Sequence, residues 1–360
     1  MTPRRPLLSA IMMPPARNLG GATYPSWGRR IGRWIVLLIL AVVALVCAVW
    51  AFGAIWYDAP LGAGNKIAAG LAAIVFLCVF VFVRPWLLKL GTFGVAFAGI
   101  LIWWLSLSPT NDADWQPDVA EKAWADVQGD EVTVHNVRNC DYRTESDYTP
   151  QWETRTVRLS QIAGLDLAIT YWGSPLIAHP IVSFRFSDAP PLCFSIEVRK
   201  TIGQSYSAVR GFYRQFTLIY LLADERDVIR LRTNYRPGED VYLYRTMATP
   251  DQARARFLEY LKTLNSLREK PRWYNAITTN CTTSIRAQRP PSQRTPWDWR
   301  ILANGKGDEM LYERHAIATG GLPFAELKER SRINEKAHAA DQDPEFSKII
   351  REGLPGFDQK

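Results

Sequence analysis

The 360-residue chain is long enough for a membrane anchor and one or two globular domains, and its net charge is +8. Residues 1–107 hold nine of the 43 Lys/Arg residues and one of the 35 Asp/Glu residues, so the remaining 34 of each sign cancel. This distribution excludes a basic nucleic-acid-binding domain and assigns the positive charge to the N-terminal segment.

Three apolar runs precede residue 108: Trp34 to Tyr57, Ile67 to Val83 and Gly91 to Leu107. Each run approaches or exceeds the ~17–20 residues that cross a bilayer as a helix. The third run is short, but its Trp103 and Trp104 suit the aromatic belt at a membrane surface. The sequence therefore predicts three transmembrane helices within residues 34–108.

Basic residues before the first apolar run indicate the orientation of this anchor. Six arginines with no acidic residue among them precede the run: Arg4, Arg5, Arg17, Arg29, Arg30 and Arg33. Arg84 and Lys89 lie between the second and third runs, whereas the first connecting loop is neutral. The positive-inside rule then predicts a cytoplasmic basic N-terminus over residues 1–33 and a multi-pass protein of the bacterial inner membrane. Three spans place the C-terminal domain in the periplasm.

Six segments after the anchor show strand patterns, at residues 131–137, 165–172, 179–186, 192–200, 227–233 and 241–245. A helix follows them, with Thr249 as its N-cap and Pro250 as its first residue. Strands followed by helices predict an α+β fold class with an antiparallel sheet. We expect this domain to cover residues 109–287 and a helical tail, residues 288–360, to pack on it.

Cys281 lies in the segment YNAITTNCTTSIR, residues 274–286. The capping residue types before it predict a short helix that begins near Asn280 or Cys281. A cysteine at a helix N-terminus forms the nucleophilic thiolate more readily, and the Asn280 side chain or nearby backbone N–H groups can stabilise an oxyanion. A buried or disulfide-bonded cysteine fits the same local pattern, so the local residues leave these alternatives open.

The other cysteines divide between the anchor and the exported part. Cys47 and Cys78 lie in predicted spans, where they serve as small apolar side chains. The exported part holds Cys140, Cys193 and Cys281, an odd number, so at least one thiol is free or pairs between chains. If Cys281 is reactive, Cys140 and Cys193 are the pair left to form a disulfide in an oxidising compartment.

Four histidines are candidates for a catalytic base: His135, His179, His315 and His338. No two of them have the spacing of metal ligands, so we expect no metal site, and nothing indicates an organic cofactor. His135 and His338 read as polar surface residues. His315 follows Cys281 along the chain, but its segment is typical of an exposed helix end. His179 is preferred because it opens the strand HPIVSFRF.

The alternation of side chains along two neighbouring strands brings a carboxylate to His179. His179 and Ser183 lie on one side of their strand, opposite Phe184, and Glu197 lies on the corresponding polar side of the next strand. Pairing the two apolar faces on one core brings Glu197 close to His179 across the hairpin. Glu197 would then orient the imidazole and stabilise its cation. The alternative is that His179 and Glu197 are ordinary polar residues on one face of the sheet.

Five segments together resemble a known family in their order and spacing: LDLAITYWGSPLIAHPIVSFRF, FSIEVRK, ERDVIRLRT, VYLYR and YNAITTNCTTSI. They are similar to bacterial membrane-anchored proteins related to the N-terminal periplasmic domain of Lnb, a lipoprotein N-acyltransferase. The resemblance covers roughly residues 110 to 350. It implies a circularly permuted papain-like thiol enzyme, in which the histidine strand precedes the cysteine helix along the chain.

The resemblance implies Cys281 as the nucleophile and His179 as the base, with Glu197 as the third member on geometry as much as on family. Asn280 and the N–H groups near residue 281 would stabilise the oxyanion. The expected function is a cysteine-dependent acyltransferase or hydrolase acting on a lipid, lipoprotein or envelope amide or ester through an acyl-enzyme. The expected partners are membrane lipids or lipoproteins. The alternative is a non-catalytic cell-envelope binding or scaffold protein.

Overall fold

The computed structural model describes residues 27–288, 294 and 296–357, with the backbone alone at residues 28–30. Most of the predicted basic N-terminus, including Arg4, Arg5 and Arg17, and the side chains of Arg29 and Arg30 lie outside the described residues. The same holds for residues 358–360 of the predicted tail. The chain divides into two compact units, residues 1–50 and residues 51–360.

Three apolar helices follow one another at the start of the described chain: α1 (Trp27–Asp58), α2 (Gly64–Phe82) and α3 (Trp86–Ser106). Each is long and apolar enough to cross a membrane, as predicted. The third helix begins five residues earlier than predicted, directly after Pro85, whose fixed φ suits a helix start. Lys89, which obscured this start in the sequence, places its ammonium 4.5 Å from the Phe80 ring. The helical stretch therefore continues through one charged residue.

The remaining chain forms a mixed α/β domain on a sheet. Its strands are β1 (Trp124–Gln128), β2 (Glu131–Arg138), β3 (Asp141–Tyr142), β4 (Tyr148–Thr149), β5 (Trp152–Arg158), β6 (Ile162–Tyr171), β7 (Ala178–Phe186), β8 (Leu192–Arg199), β9 (Thr217–Asp224) and β10 (Asp240–Arg245). The main sheet has the order β1-β2-β9-β8-β7-β6-β10, with β5 paired to β2, and β3 pairs with β4 separately. All strand pairs of the main sheet are antiparallel except β2 with β9, which meet at one parallel pair.

Helices cover both faces of this sheet. The α-helices are α4 (Glu225–Arg230), α5 (Pro250–Glu269), α6 (Cys281–Ala287), α7 (Gly307–Glu313), α8 (Phe324–Arg330), α9 (Asn334–Ala339) and α10 (Phe346–Ile349). A π-helix spans Leu231–Tyr235, and short 3-10 turns span Pro117–Val119, Leu159–Gln161, Arg210–Phe212, Trp299–Ile301 and Asn304–Lys306. On one face, Phe257 of α5 packs against Phe184 and Phe194. On the other face, Phe346 of α10 joins a second cluster with Ile181.

The predicted strand over residues 227–233 is wrong. These residues form most of α4 and the start of the π-helix, because Asp224 caps the helix by accepting from the Arg226 backbone N–H. The central strand β9 was not singled out in the sequence. Its residues are buried on both faces, so its apolar run lacks the alternation of a half-exposed strand.

Candidate active site

Cys281 is the first residue of α6. Asn280 caps this helix: its side chain accepts from the Thr283 backbone N–H, and the Thr283 hydroxyl accepts from the Asn280 backbone N–H. The predicted start of the helix is confirmed. Cys281 is buried, with 8% of its surface exposed, and it packs against the apolar core. Its sulfur also borders the polar side chains described below.

The Asn280 side chain is engaged at both ends of its amide. Its Oδ1 caps the helix, and its Nδ2 donates to the Ala276 carbonyl at 2.8 Å. These bonds fix the turn that presents Cys281. Donation by this amide to a reacting oxygen therefore requires it to leave Ala276, and its role as an oxyanion donor stays a prediction.

His179 lies at the second position of β7 and is 7% exposed. Its side chain hydrogen-bonds the Cys281 side chain. The Nε2 of His179 lies 2.7 Å from Ser195 Oγ and 3.2 Å from Glu197 Oε1. The structure thus brings together the three side chains that the sequence grouped, at the junction of α6, β7 and β8.

The strand register explains the meeting of His179 and Glu197. Ile181 of β7 pairs with Ser195 of β8, and continuing this antiparallel register by two residues places His179 opposite Glu197. Ser195 is 0% exposed and bridges the pair, because its hydroxyl donates to Glu197 Oε1 at 2.7 Å while its oxygen meets the imidazole. The strand alternation placed Ser195 on this side of β8 without indicating a role for it.

Arg232 is the next charged residue in contact with Glu197. It lies in the π-helix, within the segment that was predicted as a strand. Its Nη2 donates to Glu197 Oε1 at 3.0 Å, and its Nη1 donates to Glu239 Oε2 at 3.2 Å. The guanidinium is nearly fully buried between these carboxylates. Glu197 therefore accepts from an arginine as well as facing the histidine, and no local sequence signal pointed to Arg232.

The charges around His179 determine its protonation. Burial lowers its pKa and is the largest cause, but the negative charge of Glu197 and the bonds to Cys281 and Glu197 outweigh it and raise the pKa to about 9. Burial raises the pKa of Glu197, while the charges of His179 and Arg232 hold it well below its usual range. At neutral pH the site therefore contains an imidazolium beside the sulfur and an ionised Glu197.

Asn304 joins the cysteine helix to the histidine strand. Its Oδ1 accepts from the Ala178 backbone N–H at 2.9 Å, and its Nδ2 donates to the Ala178 carbonyl at 2.6 Å. The same Nδ2 lies 2.9 Å from Thr282 Oγ1 and 3.6 Å from Cys281 Sγ. This residue was missed in the sequence because it lies in a short turn far from both partners in the chain.

The other histidines lie elsewhere. His135 stacks on Trp124, and His338 is exposed on α9. His315 follows α7 with a φ of 52° and lines a separate cavity of about 310 Å³ with Ile285 and Leu311. Among the described residues, no group of three or more His, Cys, Asp or Glu side chains is arranged to hold a metal ion.

All five cysteines are free thiols in the structure. Cys140 packs with Tyr142 and Leu231, whereas Cys193 belongs to the core under the C-terminal helices. Burial raises the pKa of Cys140 to about 11 and raises the pKa of Cys193 well above its usual value. These two thiols are therefore protonated at neutral pH.

Comparison with known proteins agrees with the resemblance over the part of the chain that contains the site. No curated protein and no solved structure matches the chain. Residues 148–305 match the family model described as the Lnb N-terminal periplasmic domain, a range that includes His179, Glu197, Cys281 and Asn304. That description, with the three apolar helices before it, is that of a periplasmic domain in a membrane protein. The chain therefore matches the Lnb N-terminal periplasmic domain model over residues 148–305, the part that contains the site.

Proposed function

We propose that this domain is a cysteine-dependent acyltransferase or hydrolase, with Cys281 as the nucleophile, His179 as the acid and base, and Glu197 as the group that orients His179. The observation that carries the proposal is the hydrogen-bonded series from Cys281 through His179 to Glu197. A nucleophile, a base and an orienting carboxylate in this order are the parts that acyl transfer requires.

The proposed reaction begins with Cys281 as a thiolate beside the imidazolium of His179. The sulfur attacks the carbonyl carbon of an ester or amide, and a carbon–sulfur bond forms. The bond to the leaving group then breaks, and the leaving group takes the proton from His179. An amine or water next attacks the thioester and gives its proton to His179. The carbon–sulfur bond breaks, and the thiolate and imidazolium are restored.

Two neighbouring groups support this chemistry. The backbone N–H groups of Cys281 and Thr282 lie in the first turn of α6, whose N–H groups have no partner within the helix, and they would stabilise the oxyanion of the tetrahedral intermediate. Asn304 is a positioning residue, because its bonds to Ala178 and Thr282 hold the two halves of the site together.

The circularly permuted papain-like fold is part of the proposal. It rests on chain order, with the His179 strand before the Cys281 helix, and on an antiparallel sheet that carries the base while a helix N-terminus carries the thiol. A lipid, lipoprotein or envelope amide or ester is the proposed substrate class, because the anchor holds the domain next to the bilayer.

The test is acylation of the full-length chain in detergent by p-nitrophenyl octanoate, followed by acid quenching and peptide mass spectrometry. We expect an octanoyl group on Cys281 and none on Cys140 or Cys193. Cys281→Ala should abolish acylation, and His179→Ala should slow it by about 10²- to 10⁴-fold, the usual range for a general acid–base group. His315→Ala is the matched control and should acylate at the unchanged rate.

Absence of acylation at Cys281 in a chain that is folded by circular dichroism would contradict the enzyme proposal. Acylation of His179→Ala at the same rate as His315→Ala would contradict it as well. Either result would favour a non-catalytic envelope binding or scaffold protein that keeps this fold.

A further inference from the structure

A second pocket lies where the sheet domain contacts the ends of α1 and α3. Its volume is about 270 Å³. Its lining includes Trp104, Tyr213, Arg214, Trp273, Thr278 and Thr279. One aromatic wall comes from α3 and the rest from loops of the sheet domain, so the pocket joins both parts of residues 51–360.

The position of Trp104 places this pocket at the level of a membrane surface. Trp104 lies in the last turn of α3, and its Nε1 donates to Asp58 Oδ2 at the end of α1 at 2.7 Å. Two apolar helices thus end at the same level, and tryptophan is enriched where such helices meet water. Trp273 also contacts the chain at the end of α3, because its Nε1 donates to the Leu107 carbonyl at 3.0 Å.

Arg214 gives the pocket a positive charge that the described residues leave without an ion pair. Its guanidinium lies 4.2 Å from the Trp104 ring and 5.7 Å from the Trp273 ring. Its Nε is buried and has no hydrogen-bond partner among the described residues. A buried guanidinium nitrogen without an acceptor is costly, and a bound anion would offset that cost.

Asp58 is the acidic side chain nearest to this arginine, and neutral donors occupy it. Its carboxylate accepts from Trp104 Nε1, from the Arg214 backbone N–H at 3.0 Å and from Gln215 Nε2 at 2.7 Å. Burial lowers the pKa of Arg214, and the charge of Asp58 only partly opposes this effect. The guanidinium donors therefore remain available on the pocket side.

We propose that this pocket binds the phosphate of an anionic phospholipid headgroup. The planar guanidinium matches phosphate oxygens with paired donors, and the Thr279 hydroxyl in the same lining can add a donor, whereas that of Thr278 donates to Asn275 Oδ1. The volume suits a headgroup, and the acyl chains stay in the bilayer beside α3. These threonines lead directly into Asn280 and Cys281, so a bound headgroup would place a lipid next to the α6 turn.

The test uses the full-length chain in a neutral detergent, with dioleoyl phosphatidylglycerol as the probe and native mass spectrometry to count bound lipid. Arg214→Gln should weaken retention of one lipid by about 10- to 100-fold, as expected for loss of a charged hydrogen-bond donor. Arg272→Gln is the matched control, because Arg272 is an arginine near the same loop that does not line the pocket, and it should bind as the unchanged chain does.

Two further measurements distinguish a lipid headgroup from free phosphate and distinguish this proposal from the proposed thiol chemistry. Millimolar inorganic phosphate should fail to displace the lipid; displacement would overturn the lipid assignment in favour of a free phosphate site. Cys281→Ala should retain the lipid, because binding here does not depend on the thiol chemistry. If Arg214→Gln does not fold, Arg214→Lys keeps the charge but loses the paired donors and should bind more weakly. Equal lipid retention by the unchanged chain and every folded Arg214 variant would overturn the proposal.

Discussion

At the scale of single residues, one carboxylate oxygen stabilises the positive charge of His179 in the thiol site. Glu197 Oε1 accepts from Ser195 and Arg232 and faces the imidazole of His179. A buried imidazolium is stable only where such a negative charge compensates for lost hydration. Because Arg232 also stabilises Glu197, the arginine maintains the histidine charge indirectly even though its own charge opposes it.

Glu197→Gln should remove the charge of His179 at neutral pH. The pKa of His179 is raised from 6.5 to about 9, and without Glu197 both burial and Arg232 lower it. Titration of the four histidines by NMR should show that the substitution lowers the pKa of one histidine from about 9 to below 6.5. Glu239→Gln is the control, because it removes the other carboxylate that Arg232 contacts, and it should move the resonance less. An unchanged titration in Glu197→Gln would contradict this account.

The same shift predicts how stability depends on pH. The folded-state pKa of His179 lies above its ordinary value, so its stabilisation is complete below about pH 6.5 and is lost as the pH rises through about 9. Glu197→Gln should remove this alkaline loss and lower the free energy of unfolding at pH 7 by about 1–3 kcal/mol, the cost of leaving buried donors unpaired. Thermal unfolding between pH 6 and pH 10 measures both effects.

Residue pairs that depend on local periodicity could be predicted from the sequence, and distant partners could not. His179 and Glu197 followed from alternation along β7 and β8, because a strand has a strict two-residue repeat. Ser195 shares that repeat and could have been found by asking which hydroxyl lies between them. Arg232 and Asn304 come from turns far along the chain, where tertiary contacts alone decide which atoms meet.

At the scale of elements, a single short turn fixes the histidine strand. The turn Asn304–Lys306 lies against the chain before β7, where the Gly305 backbone N–H donates to the Leu176 carbonyl at 3.0 Å. A Cβ at Gly305 would lie 2.3 Å from the Pro175 carbonyl oxygen and 2.5 Å from the Leu176 carbonyl carbon. Rigid backbone atoms surround this glycine, so no side chain can move aside.

Gly305→Ala should therefore destabilise the domain and disturb the site. We expect the free energy of unfolding to fall by about 1–3 kcal/mol, the usual cost of overpacking, with slower acylation of Cys281 as the turn moves Asn304. Gly307→Ala is the matched control, because a Cβ at Gly307 meets nothing within 4 Å and this residue begins α7. Equal stability of the two variants in urea unfolding would show that the turn does not constrain β7.

Element types could be predicted where the sequence pattern is simple. The three apolar helices, the capped helix α5 and the start of α6 depend on length and capping, which are local properties. Residues 227–233 alternate like a strand but form a helix, because Asp224 caps them and tertiary burial covers the whole segment. Both faces of the sheet are buried, so the side predicted to be polar holds buried Ser195 and Cys193.

At the scale of the whole molecule, membrane orientation decides whether the thiol site faces an oxidising compartment. Reporter fusions after residues 61 and 110 should report export, and a fusion after residue 84 should report the cytoplasm, because arginines flank the cytoplasmic side. The hydrogen bond between Trp104 and Asp58 agrees with this arrangement, since it joins the two helix ends expected outside. A cytoplasmic signal after residue 110 would contradict the periplasmic site.

The C-terminal helices have a further consequence for the limits of the domain. Arg351 pairs with the buried Glu225 at 2.5 Å and with the buried Asp166 at 2.9 Å. It lies 46 positions beyond the end of the family match, while β1 and β2 begin before the match starts. A fragment cut at residues 148 and 305 would leave Glu225 without its Arg351 counterion and β9 without its neighbour β2, although Asp166 would keep its contact with Arg185. The family match therefore ends inside the packed domain, and the contacts made by Arg351 and β2 come from segments outside its bounds.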